Sequence, residues 1–149
     1  MRPADDPGWS SYAETILVVY GRSPIEVPLS SPIDGRARAA FLAAGLPGCF
    51  GLVTSDNPFG RPSTETHNAA RRLKFADALA ALISNPVRVD GLSPDRQHRE
   101  IGVALPWPMA QVIEVARRWE QSAIYWFDGQ SMWVIGALTV APPWKLAPQ

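Results

Sequence analysis

This chain of 149 residues has little of what most often betrays chemistry. It carries one cysteine, Cys49, which can form no internal disulfide, and nothing near it in sequence would activate its thiol. Only two histidines occur, His67 and His98, and their spacing fits no established zinc motif, so no metal is expected. Neither sign of charge is in excess: fourteen basic and fourteen acidic side chains cancel, leaving no bulk field to draw the chain onto nucleic acid or an anionic membrane. The longest apolar runs, Ile16 to Tyr20 and Ile124 to Phe127, fall far short of the roughly 20 residues of a membrane span. The start, MRPADDPGWSSYAE, has no basic-then-apolar leader. No G-x-x-x-x-G-K-[ST] occurs and no G-x-G-x-x-G follows a strand, which disfavours the standard nucleotide folds; no cofactor is expected. These absences point to a cytoplasmic protein without nucleic-acid or membrane partners.

Prolines and tryptophans are abundant instead, fifteen and six. Several prolines sit at the ends, at Pro3, Pro7 and in APPWKLAPQ, so residues 1–14 read as an extended N-terminal arm and 139–149 as a Pro-rich tail. Between them, 15–138 reads as one globular domain, large enough to bury a core without disulfides.

Local patterns give the elements. Thr15 to Tyr20 has the β-branched and aromatic content of a buried strand, and Ile25 to Leu29, with Pro28, suits an edge segment. Ser31 as N-cap, Pro32 and Asp34 open a helix with the apolar stripe Ile33, Ala37, Ala40, Phe41 and Ala44, closed by Gly45. Cys49 to Thr54 reads as a central strand, and Ser63 or Thr64 caps a second helix ending near Pro86. Val87 and Val89, then Ile101, Val103 and Leu105 beyond the turn GLSPDRQ, suggest an antiparallel pair. Pro108 opens a third helix reaching about Gln121. Asp128-Gly129 suits a two-residue hairpin turn. The order predicts an α+β (mixed α/β) domain, one mixed sheet of about five to six strands packed with three helices.

Candidate chemistry gathers where the strand to Thr54 runs through SDNPFGRPST into the second helix, since α/β proteins favour such a junction for ligands. In that helix Asn68, Arg71, Phe75, Leu79 and Leu82 share a stripe headed by two polar residues. Buried, Asn68 and Arg71 need partners: a ligand's oxygens, or an internal clamp in which Arg71 meets Asp56, Asp95 or Glu100. Arg61, Ser63, Thr64 and Thr66 add donors at the helix start, or simply cap it. If residues 97–105 are extended, His98 and Glu100 share a face, as a catalytic base and its partner would; the alternative is an exposed loop around a Ser93-Pro94-Asp95 turn. Trp119, Tyr125, Trp126 and Trp133 read as core, or as a stacking platform, and Trp144 in the tail as an anchor onto its own domain or a partner subunit.

The segments LVTSDNPFG, NAARR early in a helix, GLSPD followed by RE, and WEQSAIYWF resemble the bacterial family known as domain of unknown function 3293 over about residues 15–135. Asn57, Pro58, Asn68, Arg71, Ser93, Pro94, Asp95, Glu100, Gln121 and Ala123 match its pattern; Ser55, Asp56, His67, Arg96 and His98 depart from it. The resemblance implies a small bacterial protein with no assigned activity.

The sequence therefore predicts a polar or anionic small-molecule site built from Asn57, Ser63, Asn68, Arg71 and Asp95. Glu100 and His98 would be the catalytic pair if the pocket is that of a small hydrolase or transferase. The competing reading is a protein-interaction module that forms a homo-oligomer or meets a partner through the Trp144 tail or an edge strand.

Overall fold

The computed structural model describes residues 1–147, so Pro148 and Gln149 of the tail lie outside the described residues. Strand β1 (Ile16–Tyr20) and β2 (Pro24–Pro28) form a first hairpin, followed by α1 (Gly35–Ala43) and β3 (Phe50–Thr54). Helix α2 (Glu65–Ala80) leads into β4 (Val87–Leu92), whose return arm is split into β5 (Arg99–Glu100) and β6 (Gly102–Leu105). Helix α3 (Met109–Arg118), β7 (Ala123–Phe127), β8 (Met132–Gly136) and β9 (Trp144–Lys145) complete the chain.

The predicted α+β class holds, with three α-helices, but the sheet is larger and simpler than expected. Nine strands pair in the order β2-β1-β4-β6-β3-β7-β8-β9, with β5 also on β4, and every pairing is antiparallel. The five-to-six count and the mixed directions are corrected. Strands of two residues such as β5 and β9 form because a neighbour offers a free edge, which no periodicity signals, and apolar alternation says nothing about direction.

Helix boundaries follow capping chemistry. Helix α1 starts later than Ser31 because Asp34 is its N-cap, accepting from Ala37 N at 2.8 Å. Thr64 caps α2 by accepting from His67 N. The last hairpin turns one residue later than Asp128-Gly129: Gly129, at φ 100°, heads the two-residue loop and Asp128 Oδ1 accepts from the Gln130 and Ser131 amides.

The curled sheet has a core on each face. On one, α1 presses Phe41 onto Phe50 and Phe127, with ring centroids 5.1 Å away, among Leu17, Val19, Val89 and Val134. On the other, Phe75 and Leu79 of α2 and Val112 and Ala116 of α3 meet Val53, Leu105 and Ile124. Gly51 lets α3 lie close: a Cβ there would stand 2.5 Å from Val112.

Residues 1–14 and 139–147, read as parts of two arms from the sequence, fold back on the domain. Residues 3–5 and 9–14 are 3-10 turns, Asp6 between them is buried, and Trp144 in β9 pairs with Val134 and stacks on Trp9 at 6.2 Å. Cys49 is exposed just ahead of β3. Among the described residues no helix is long and apolar enough to cross a membrane.

Candidate functional site

Past the end of β3, residues 55–60 form a tightly held loop. Asn57 and Phe59 have φ of 50° and 60°, and Gly60 has 71°, so three of four consecutive residues are left-handed. Two of them carry side chains, an arrangement that persists only where surroundings enforce it. The enforcing groups are the polar residues singled out from the sequence. Asn68 accepts from Asn57 N at 2.9 Å and donates to Asn57 Oδ1 at 3.0 Å, while Asn57 Oδ1 also accepts from Ser63 N at 3.0 Å. Arg71 donates to the carbonyls of Ser55 and Trp119, both at 2.6 Å, and its guanidinium stands 3.7 Å from Glu120. Gln121 donates to Asp56 O, and Glu120 O accepts from Phe59 N at 2.7 Å. The structure thus brings Asn57, Ser63, Asn68 and Arg71 together, with Asn68 buried and Arg71 half-buried, as an internal clamp on the loop. Arg71 meets carbonyls and Glu120 rather than Asp56, Asp95 or Glu100.

Asp95 is elsewhere. It sits on the exposed 93–98 turn, accepting from Ser93 Oγ and Gln97 N. His98 is exposed on that turn, with its amide on Ser93 Oγ, and His67 lies on α2 against Ser63 Oγ. His98 is therefore not drawn in beside Glu100. Among the described residues no three His, Cys, Asp or Glu side chains come together as a metal ion would need.

Glu100 has a different setting. It lies half-buried in β5, opposite Gly91, on the face where Tyr12 and Tyr125 pack edge to face. Burial first, then the charge of Asp56 and more weakly that of Asp6, raise its pKa to about 7; Asn57 and Arg72 pull only partly the other way. Asp56 is fully buried: Arg72 gripping both its oxygens at 2.8 Å, and Ile101 N donating to it at 2.9 Å. The other side of Arg72 is taken by Glu65 at 2.7 Å, so it has little charge left for Glu100. Asp6 is held by neutral donors, Gly8 N, Tyr12 Oη and Ser122 Oγ, and lies so close to Gly60 that a Cβ there would stand 2.3 Å from its Oδ1. Tyr125 Oη donates to Tyr12 O and is hydrogen-bonded to Thr15 Oγ1 at 2.9 Å. Burial raises the pKa of both tyrosines, so their hydroxyls stay protonated. Ser55 Oγ, also buried, has no hydrogen-bond partner among the described residues.

A family model described as Protein of unknown function (DUF3293) matches residues 53–124, from the end of β3 to the start of β7. That match covers just under half of the chain and supports the resemblance carried by its motifs. No curated protein and no solved structure matches the chain. The matched segment holds the strained loop, its clamp, Asp56 with Arg72, and Glu100; Asp6 and Tyr12 come from outside it. Sequence reasoning missed Asp6, Asp56 as the charge beside Glu100, and Arg72. Arg72 was legible in part, because it lies seven residues beyond Glu65 on α2, two turns along the same face.

Two cavities of about 560 and 350 Å³ lie away from this site. The first is bounded by Ile33, Arg38, Met132 and Lys145, the second by Leu82, Trp107, Val115 and Arg118; no residue of the Glu100 cluster lines either.

Proposed function

We propose that this protein binds a small polar molecule at the Glu100 cluster and that Glu100 is its proton-exchanging group. The observation that carries this reading is a half-buried carboxyl held near neutrality by burial and by the Asp56 charge, next to a loop whose left-handed residues are enforced by Asn68, Arg71 and Gln121. A carboxyl tuned to about 7 can both give and take a proton at ordinary pH, the property a general acid or base needs. Strained backbone next to such a group is the combination that functional sites show and structural turns do not require.

The ligand's polarity follows from the surroundings. Asp6, Asp56 and Glu100 crowd the site with acid, and Arg71 and Arg72 are spent on carbonyls and carboxylates. An anion, the ligand suggested by the arginines in the sequence, would meet repulsion there. An amine, amide or alcohol that donates hydrogen bonds fits better, and an acid-base reaction on it is the enzymatic version of the same site. Ligand-observed NMR with mixtures of small amines, amides and alcohols tests this: hits that perturb Gly60 and Glu100 and disappear in Glu100→Gln support it. Hits that survive Glu100→Gln, or that perturb only other surfaces, would sink it.

A further inference from the structure

A second polar centre lies outside the proposed site, on the part of the sheet made by β2, β1 and β4. Asp90 is fully buried, and Arg88 donates to both its oxygens, Nε at 2.9 Å and Nη2 at 2.8 Å. That pair alone would neutralise it. A second arginine nevertheless joins: Arg99 Nη1 reaches Asp90 Oδ2 at 2.7 Å and Tyr20 Oη at 2.9 Å. Arg88 also stacks over the Tyr20 ring at 4.4 Å, which fixes its plane. Beside them Arg96 grips Glu26 with two bonds of 2.7 Å, and Arg36 donates to the Glu26 carbonyl.

The guanidinium groups of Arg88, Arg99 and Arg96 therefore share this face with two carboxylates. Arg72 lies near enough for its charge to be felt at Arg88. The surplus is not buried. Side chains of Arg88 and Arg99 are 47% and 41% exposed, and Arg88 Nη1 and Arg99 Nε and Nη2 have no partner among the described residues. A structural role asks for one arginine on Asp90; the second adds charge and oriented donors with nothing to receive them.

We propose that Arg88 and Arg99, set by Asp90 and Tyr20, form a binding site for a single phosphate group. Held from behind by one carboxylate, Arg99 presents its free Nε/Nη2 edge and Arg88 its free Nη1, and together these are N–H donors that a tetrahedral oxyanion accepts. A polyanion is the poorer fit: the chain has no net positive charge, and Tyr20 is already covered by Arg88, leaving no open ring for a base to stack on.

The test follows the side-chain Nε–Hε signals of the wild-type protein while inorganic phosphate is added at constant ionic strength. Saturable shifts of Arg88 and Arg99, with exposed Arg118 still, are the expected result. Arg99→Gln, which leaves Asp90 its two bonds from Arg88, should weaken the affinity by about tenfold, the loss of one charged hydrogen-bonding partner. Absent shifts, or shifts of all exposed arginines alike, overturn the proposal. Saturable binding of a single-stranded oligonucleotide without binding of phosphate overturns it too, in favour of a nucleic-acid surface. None of these readouts involves Glu100.

Discussion

Asp56 and Asp90 are both fully buried, and each receives a two-bonded arginine, yet their neighbourhoods carry opposite surplus. Around Asp56 the remaining charge is negative, because Glu100 and Asp6 stand close by and Arg72 is shared with Glu65. Around Asp90 it is positive, because Arg99 joins a carboxylate that Arg88 already satisfies. A chain whose formal charge is zero thus separates its charge between two centres. Composition excludes a bulk field, but it does not reveal that two local fields of opposite sign are built into one sheet.

The sharpest way to break the comparison is to remove one arginine from each carboxylate. Arg72→Met strands a buried charge, and unfolding in urea should show a loss of about 3–5 kcal/mol, the range for a buried pair broken on one side. A smaller effect is expected in the pH dependence of stability. Glu100 holds its proton to about 7 when folded but only to about 4.5 when unfolded, so its contribution is complete below 4.5 and lost as pH rises towards 7. Urea midpoints measured across that window should fall in the wild type, and Glu100→Gln should remove that fall. Asp90 acts in the opposite sense: burial pushes its pKa up, but the bonds from Arg88 and Arg99 outweigh it and hold the carboxyl below its ordinary value. Its contribution is present above that ordinary value and lost in stronger acid.

Arg88→Met should cost less than Arg72→Met, about 1–2 kcal/mol in the same urea assay, since Arg99 still reaches Asp90 and Arg88 is half in solvent. An equal loss at both arginines would remove the distinction drawn between the two centres. Smallest of all, Glu26→Gln breaks an exposed pair with Arg96 and should leave the unfolding midpoint where it was.

What the sequence made legible was local. The β-branched run at Ile16, the Phe41 stripe and the Asn68, Phe75 and Leu79 face of α2 are patterns of single elements, and each appears where it was read. Asn57, Ser63, Asn68 and Arg71 are likewise close together because one loop and one helix start hold them. Their partners were less legible, since a carbonyl such as Trp119 O leaves no trace in side-chain chemistry. Asp6 reaches Gly60 from more than fifty residues away, and nothing in MRPADDPGW signals that it folds inward. Arg71 and Arg72 are adjacent, so a turn of about 100° decides which meets Asp56, and the stripe singled out Arg71. His98 and Glu100 alternate correctly, but β5 is two residues long, and the face they would share ends in solvent at His98.

The central claim is that Glu100 is a tuned, proton-exchanging carboxyl set against Asp56. The most direct measurement is the titration of its side-chain ¹³C carboxyl resonance in the wild type and in Asp56→Asn. The account predicts a midpoint near 7 in the wild type and a lower one in the variant, because the Asp56 charge is the strongest push after burial itself. A wild-type midpoint in the ordinary carboxylate range, unmoved by Asp56→Asn, would contradict it.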